Sequence, residues 1–252
     1  MSPGVCEPAA VVGAFFWGLL AAASLLVGAV VAWVHPMGRR VLGVTMAFGA
    51  GVLLSAVAFD LVLPAVDISA PGTLVGFLSG MVVFTVGDIT IARLGYGDRK
   101  DIAAAPTEAS GLTIALGALL DGVPETAVLG LTILQTGEIG VALLAAVFIS
   151  NVPEAVAATS SLRAGGWSAR RVFGLWSFIA VASALASALG YLFLDGASVH
   201  VLAFMYAFAG GAILTMLATS MIPEAYEEVR RAAGVATVLG GVVAFWISWT
   251  FG

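Results

Sequence analysis

Asp121-Gly122-Val123-Pro124-Glu125 and Ser150-Asn151-Val152-Pro153-Glu154 carry one pattern twice: a polar residue, a proline three positions on and a glutamate directly after it. Both copies lie inside stretches long and apolar enough to cross a bilayer. An ionisable side chain at the bilayer centre costs about 2.5–3.5 kcal/mol even on a lenient insertion scale. Asp121, Glu125 and Glu154 therefore carry a combined penalty that a bound cation would offset. On an α-helix Asp121 and Glu125 share a face, as do Ser150 and Glu154, and Asn151 stands beside Glu154. Each proline removes a backbone donor and frees the carbonyl four residues earlier, of Leu120 and Ile149, to bend the helix or act as a ligand. A divalent cation keeps crowded carboxylates ionised, so its binding competes with protons. The plainer alternative is a set of protonated acids hydrogen-bonded across a helix pair with prolines as kinks. Three acids and two matching prolines exceed what packing requires.

The elements that position these residues follow from composition. The chain has 252 residues, 61% hydrophobic and 10% charged, which places it among polytopic membrane proteins. Apolar runs of bilayer-spanning length fall near 11–34, 41–64, 73–94, 111–134, 138–162, 171–194, 199–223 and 235–251. They are too long for the strands of an outer-membrane barrel and are read as helices. The expectation is an all-α membrane protein of eight transmembrane helices, a single domain over 1–252. All ten basic residues fall in or beside alternate gaps: Arg39 and Arg40; Arg93, Arg99 and Lys100; Arg163, Arg170 and Arg171; Arg230 and Arg231. The positive-inside rule puts those gaps in the cytoplasm and both chain ends outside, as for a multi-pass protein of the cell (inner) membrane.

Between spans four and five, Gln135 to Glu138 only reverses the chain. Counting about 1.5 Å per residue from that turn puts the two motifs about 20 and 23 Å down their helices, at one depth near mid-membrane. Antiparallel packing then sets Asp121 level with Glu154 and Glu125 level with Ser150, all facing one small volume. Spans two and seven share a register, Ala47-Phe48-Gly49-Ala50-Gly51 with Ala207-Phe208-Ala209-Gly210-Gly211, and Leu54, Ala58 and Ala65 with Leu214, Ala218 and Ala225. The two run in opposite directions, which is what a 3+2+3 inverted-repeat arrangement leaves in a sequence. The segment Gly95 to Gly111 reads as a polar cytoplasmic loop. Cys6, the single cysteine, excludes an intramolecular disulfide and a thiolate cluster, and Met1 to Ala10 lacks the basic region of a signal peptide and reads as uncleaved.

The paired motifs resemble those of the ZIP (Zrt/Irt-like protein) family of divalent-metal transporters, whose fourth and fifth helices read His-Asn-x-Pro-Glu-Gly and His/Gln-polar-x-Pro-Glu-Gly/Ala. Eight spans, outside termini, a cytoplasmic loop after span three and a three-two-three repeat are also features of that family. The resemblance implies a transporter moving zinc, iron(II) or manganese toward the cytoplasm through a mid-membrane carboxylate site. It makes Glu125 and Glu154 metal-binding glutamates, Asn151 their polar neighbour, and Asp121 and Ser150 the occupants of the usual first-ligand positions. The chain departs from the family in having Asp121 and Gly122 where histidine and asparagine are usual, and no acid or histidine in 171–194 for a second adjacent site. Without histidine the ligands are all oxygen, which suits manganese, iron(II) or magnesium at least as well as zinc.

Other polar residues are assigned lesser roles. Asp60 and Asp88 line an entry or exit path, or equally snorkel or cap a neighbouring helix. His35 and His200 lie at loop edges, and Glu224, Glu227 and Glu228 with Arg230 and Arg231 form a solvated charge run, although Pro223-Glu224-Ala225 echoes the family's ending to span seven. The implied partners are divalent ions and the lipid bilayer, with a homodimer admitted, no nucleic acid and no organic cofactor. The competing enzyme reading is an intramembrane aspartyl protease, from Gly95-Tyr96-Gly97-Asp98 with Asp60 or Asp121 as its partner acid. Asp98, however, sits among Arg93, Arg99 and Lys100. A retinal or receptor-like protein is a weaker alternative still, because Lys100 is the only lysine and lies outside every span, leaving no Schiff-base site. A ZIP-like scaffold without transport is the remaining alternative.

Overall fold

The computed structural model describes residues 8–35, 37–93 and 110–251, and among these every regular element is helical. Cys6, the Gly95-Tyr96-Gly97-Asp98 pattern and residues 95–109 of the expected 95–111 connection lie outside the described residues, while Ser110 and Gly111 already belong to a helix. In chain order the elements are α1 (Pro8–Val34), α2 (Arg39–Ala56), a π-helical segment (Val57–Val62), α3 (Leu63–Ile91), α4 (Ser110–Thr136), α5 (Val141–Ala164) and α6 (Ala169–Leu194). Then come α7 (Val199–Met216), a second π-helical segment (Leu217–Met221), α8 (Ile222–Val229) and α9 (Arg231–Phe251).

Seven of the described helical stretches are long and apolar enough to cross a membrane, so the chain is an all-α, multi-pass membrane protein. The distribution of side chains agrees with a lipid solvent. Phe16, Phe193, Trp246 and Trp249 point outward, whereas Asp121, Glu125, Thr126, Ser150 and Asn151 are buried.

Two expected loops are absent. Residues 65–72 continue the helix from α2 into α3, and a single residue, Ser69 (φ −162°, ψ 100°), interrupts it. Ser69 caps the N-terminus of the stretch beyond it: its Oγ accepts from the Gly72 amide at 3.3 Å, and Pro71 occupies the second helical position, where its missing donor is harmless. A straight helix over 39–91 would be about 80 Å long against a hydrocarbon core of about 30 Å, and the kink at Ser69 divides that length into two stretches. Likewise α8 fills the expected loop after span seven, and the break narrows to Arg230, whose φ of 54° lies in the left-handed region. The charge run, expected to be a solvated face, is only partly so: Glu227 is exposed on this short helix, whereas Glu224 and Glu228 are half-buried and Ala225 is buried.

The helices meet through small residues. α2 packs on α9, α3 on α7, α1 on both α5 and α6, and α4 on α6. A methyl group added at Gly51 would overlap the Thr237 carbonyl and one at Gly240 that of Phe48. In the α3–α7 contact, one at Gly80 would overlap the Phe208 carbonyl and one at Gly211 that of Phe77. The residues at the two crossings are 160 positions apart in every pair: 48 and 208, 51 and 211, 77 and 237, 80 and 240.

Basic residues collect at one end. Arg39 Nη1 lies 3.8 Å from Glu228 Oε1, and Arg163 Nη1 donates to the Trp33 carbonyl at 2.9 Å with its guanidinium over the Trp33 ring. At the opposite end His200 Nδ1 and Ser69 Oγ are 3.1 Å apart.

Candidate functional site

Both motif helices run unbroken through their prolines, α4 through Pro124 and α5 through Pro153. Asp121 sits eleven residues into α4 and Glu154 ten residues before the end of α5, about 17 and 15 Å from the basic end of the bundle. The two acids line one cavity of about 20 Å³, room for a single water-sized particle. Ile114, Gly117, Ala118 and Asp121 contribute one face of α4, recurring at the helical spacing, with Glu154 and Ala158 from α5 and Trp176 from α6. Glycine and alanine make the space: at these positions no side chain longer than a methyl fills the gap between helices.

The remaining motif residues are placed differently. Glu125, Ser150 and Asn151 are buried but do not line this cavity. Ser150 faces α2, its Cα close against Gly49, and its hydroxyl donates to the Val147 carbonyl at 3.0 Å. Among the described residues no three histidine, cysteine, aspartate or glutamate side chains gather as a metal-holding group. Asp121 and Glu154, from different helices, share the lining of one cavity, and Glu125 is not part of that lining. The cause lies in the packing. α4 is drawn onto α6, with Gly130 against the Ser187 carbonyl and Gly190 against that of Ala127, while α5 is drawn onto α1, with Gly28 against Val152. Each motif helix turns its small-residue seam to an outer partner, and the two touch each other only locally.

Asp121, Glu125 and Glu154 each engage a neighbouring group. Thr126 Oγ1 donates to the Gly122 carbonyl at 2.7 Å, satisfying one acceptor beside Pro124. Asp60 and Asp88 stand apart from the cavity. Asp60, in the first π-helical segment, accepts from Ser248 Oγ at 2.9 Å, which ties α9 to the end of the bundle away from the arginines. Asp88 lies near the basic end of α3, half-buried and engaged with a neighbour. His35 and His200 are exposed.

Trp176 is the cavity residue that the motifs alone do not reveal. It is buried, and its indole N–H donates to Thr159 Oγ1, also buried, at 2.8 Å. The available signal was depth: Trp176 is seven residues into α6 from the basic end, about 10 Å, and Thr159 is five from the same end of α5. Counting along all three helices rather than two would have set the ring beside the motifs.

No model of a known protein family matches the chain, and neither does any curated protein. Function must therefore be read from the residues and their arrangement.

Proposed function

We propose that the chain carries a divalent cation across the membrane toward its basic, cytoplasmic end, with Asp121 and Glu154 as the first oxygen ligands and Glu125, Asn151 and Ser150 as further polar groups nearby. The observation that carries this reading is a pair of carboxylates from two different helices on one water-sized cavity, about halfway through the bundle. An acid pair at that depth carries a solvation cost that a cation in passage offsets, and a site between helices that pack on separate partners is one that relative movement can open. The ligand chemistry, all oxygen, suits manganese, iron(II) or zinc.

The likeness of the motifs to those of the ZIP family supports the same function. In that reading the chain makes eight passes, Ser69 and Arg230 being the turns that end the second and seventh. Spans one to three and six to eight form an inverted repeat around α4 and α5. The recurrence of the glycine contacts at a constant 160-residue offset supports the repeat, and alternate basic gaps support cytoplasmic loops with both termini outside in the inner membrane.

A second reading, a ZIP-like scaffold without transport, is favoured by one observation: no three ligating side chains gather among the described residues. One experiment separates the two. Purified protein in sealed liposomes is given manganese, zinc or iron(II) outside, and entry is followed with an indicator inside. Transport predicts entry by the parent protein and its loss with Glu154→Ala, at unchanged insertion into the liposomes. Equal entry for parent, Glu154→Ala and empty liposomes supports the scaffold.

A further inference from the structure

An open groove runs between α2 and α5. Val44, Thr45 and Phe48 form one wall, and Phe148, Ile149, Val152 and Pro153 the other. Both sets recur at helical spacing, so each is one face of its helix. The walls are apolar, and the Thr45 hydroxyl is turned to its own helix, donating to the Leu42 carbonyl at 2.9 Å. Beside the groove the two helices touch: a methyl group added at Gly49 would lie 3.2 Å from the Ser150 Cα.

The groove face of α2 continues to Arg40. Arg40, Val44 and Phe48 stand four apart, and Arg40 is exposed, one turn from Val44 toward the basic end. Its neighbour Arg39 belongs to the face that α8 covers, where Glu228 lies against Gly43 and 3.8 Å from the Arg39 guanidinium. One arginine is thus tied to α8, and the next stands at the head of an apolar groove. Counted from the basic end, the lining begins at Val44, about 8 Å along α2, and ends at Phe148, about 24 Å along α5. That span of about 16 Å matches the roughly 15 Å that one leaflet contributes to a hydrocarbon core of about 30 Å.

A hydrocarbon chain carrying a negative headgroup matches the apolar walls, the one-leaflet length and the cation at the head together. A second copy of the chain fits less well. A two-fold axis along the membrane normal keeps both basic ends at one level, so a copy seated in the groove would set arginine against arginine. We propose that an anionic phospholipid of the leaflet at the basic end binds here, with one acyl chain along the α2–α5 groove and its phosphate at Arg40. The proposal needs the bilayer and not the transport reading. Because Ile149 and Pro153 directly precede Ser150 and Glu154, the bound chain braces the second motif helix on its α2 side.

The test titrates the purified full chain in detergent with phosphatidylglycerol and with phosphatidylcholine of the same chain length, and counts bound lipid by native mass spectrometry. The parent protein is expected to keep one phosphatidylglycerol about fivefold more tightly than phosphatidylcholine, and Arg40→Gln to remove most of that preference. Val44→Trp puts an indole into the groove from an exposed position and is expected to weaken both lipids about tenfold, by displacing a few buried methylenes. Val82→Trp, exposed on α3 and outside the lining, should leave them unchanged. Equal retention of the two lipids by the parent protein, or a preference that survives Arg40→Gln, would overturn the place of the headgroup, and lipid binding untouched by Val44→Trp would overturn the groove. A parent dimer that Val44→Trp converts to monomer, with no lipid retained, would put a second copy there and overturn the proposal.

Discussion

Where α2 crosses α9 and α3 crosses α7, glycine lies directly on backbone carbonyl; where α4 passes α5, at similar depth, Asp121 and Glu154 leave a cavity between them. The outer crossings offer no room for a single added methyl. The central pair, by contrast, is held by its outer partners, and the space left over carries the ionisable groups. Rigid outer contacts and a loosely closed polar centre are a division of labour suited to a bundle whose parts shift around a fixed site.

That contrast can be broken from either side. The largest effect is expected at the outer crossings: Gly80→Leu drives a side chain into the Phe208 carbonyl and has no flexible neighbour to displace, so a loss of about 3 kcal/mol or total failure to fold is expected. Thermal unfolding in detergent measures it, and an unchanged midpoint would mean that α3 and α7 do not approach so closely. In the centre, Asp121→His exchanges a hard oxygen ligand for an imidazole and is expected to leave stability nearly intact while raising zinc over manganese by roughly tenfold in competition uptake. An identical metal profile would separate Asp121 from the cargo.

Smaller effects sharpen the comparison at the two ends of the bundle. Ser248→Ala removes the donor to Asp60 and is expected to cost about 1 kcal/mol, read as a lowered unfolding midpoint, with metal selectivity unaltered. A changed selectivity would move Asp60 from a helix tie to the ion path. The Arg39–Glu228 pair, long at 3.8 Å and exposed on the arginine side, is expected to contribute under about 1 kcal/mol; Arg39→Ala measured at low and high salt should differ little from the parent protein.

Much of this architecture is legible in the order of residues. Apolar length marks the crossing segments, and the basic residues among those described mark one end, because charge and hydrophobicity act locally and need no knowledge of neighbours. Two turns were too finely drawn to be read. Hydropathy falls across 65–72 and 224–234 as in a loop, yet the helix continues because its backbone hydrogen bonds are satisfied within the chain wherever the solvent boundary lies; only Ser69, with its cap, and the left-handed Arg230 interrupt it. The depth match between Asp121 and Glu154 followed from counting along a hairpin. The absence of Glu125 from the cavity lining did not, because the face a helix presents depends on which seam of glycine and alanine finds a partner, here α6 for α4 and α1 for α5. Trp176 escaped for a related reason: its role depends on a third helix, and its indole is paired with a threonine rather than with any charged motif residue.

The central claim is that Asp121 and Glu154 together hold a divalent cation in the middle of the bundle. Direct binding of manganese to the purified, detergent-solubilised chain, measured by equilibrium dialysis, tests it apart from transport. The account predicts saturable binding that Glu154→Gln weakens at least about tenfold and Asp121→Asn with Glu154→Gln removes altogether, in protein that stays monodisperse. Manganese bound equally by the parent chain and by the doubly substituted one would contradict it.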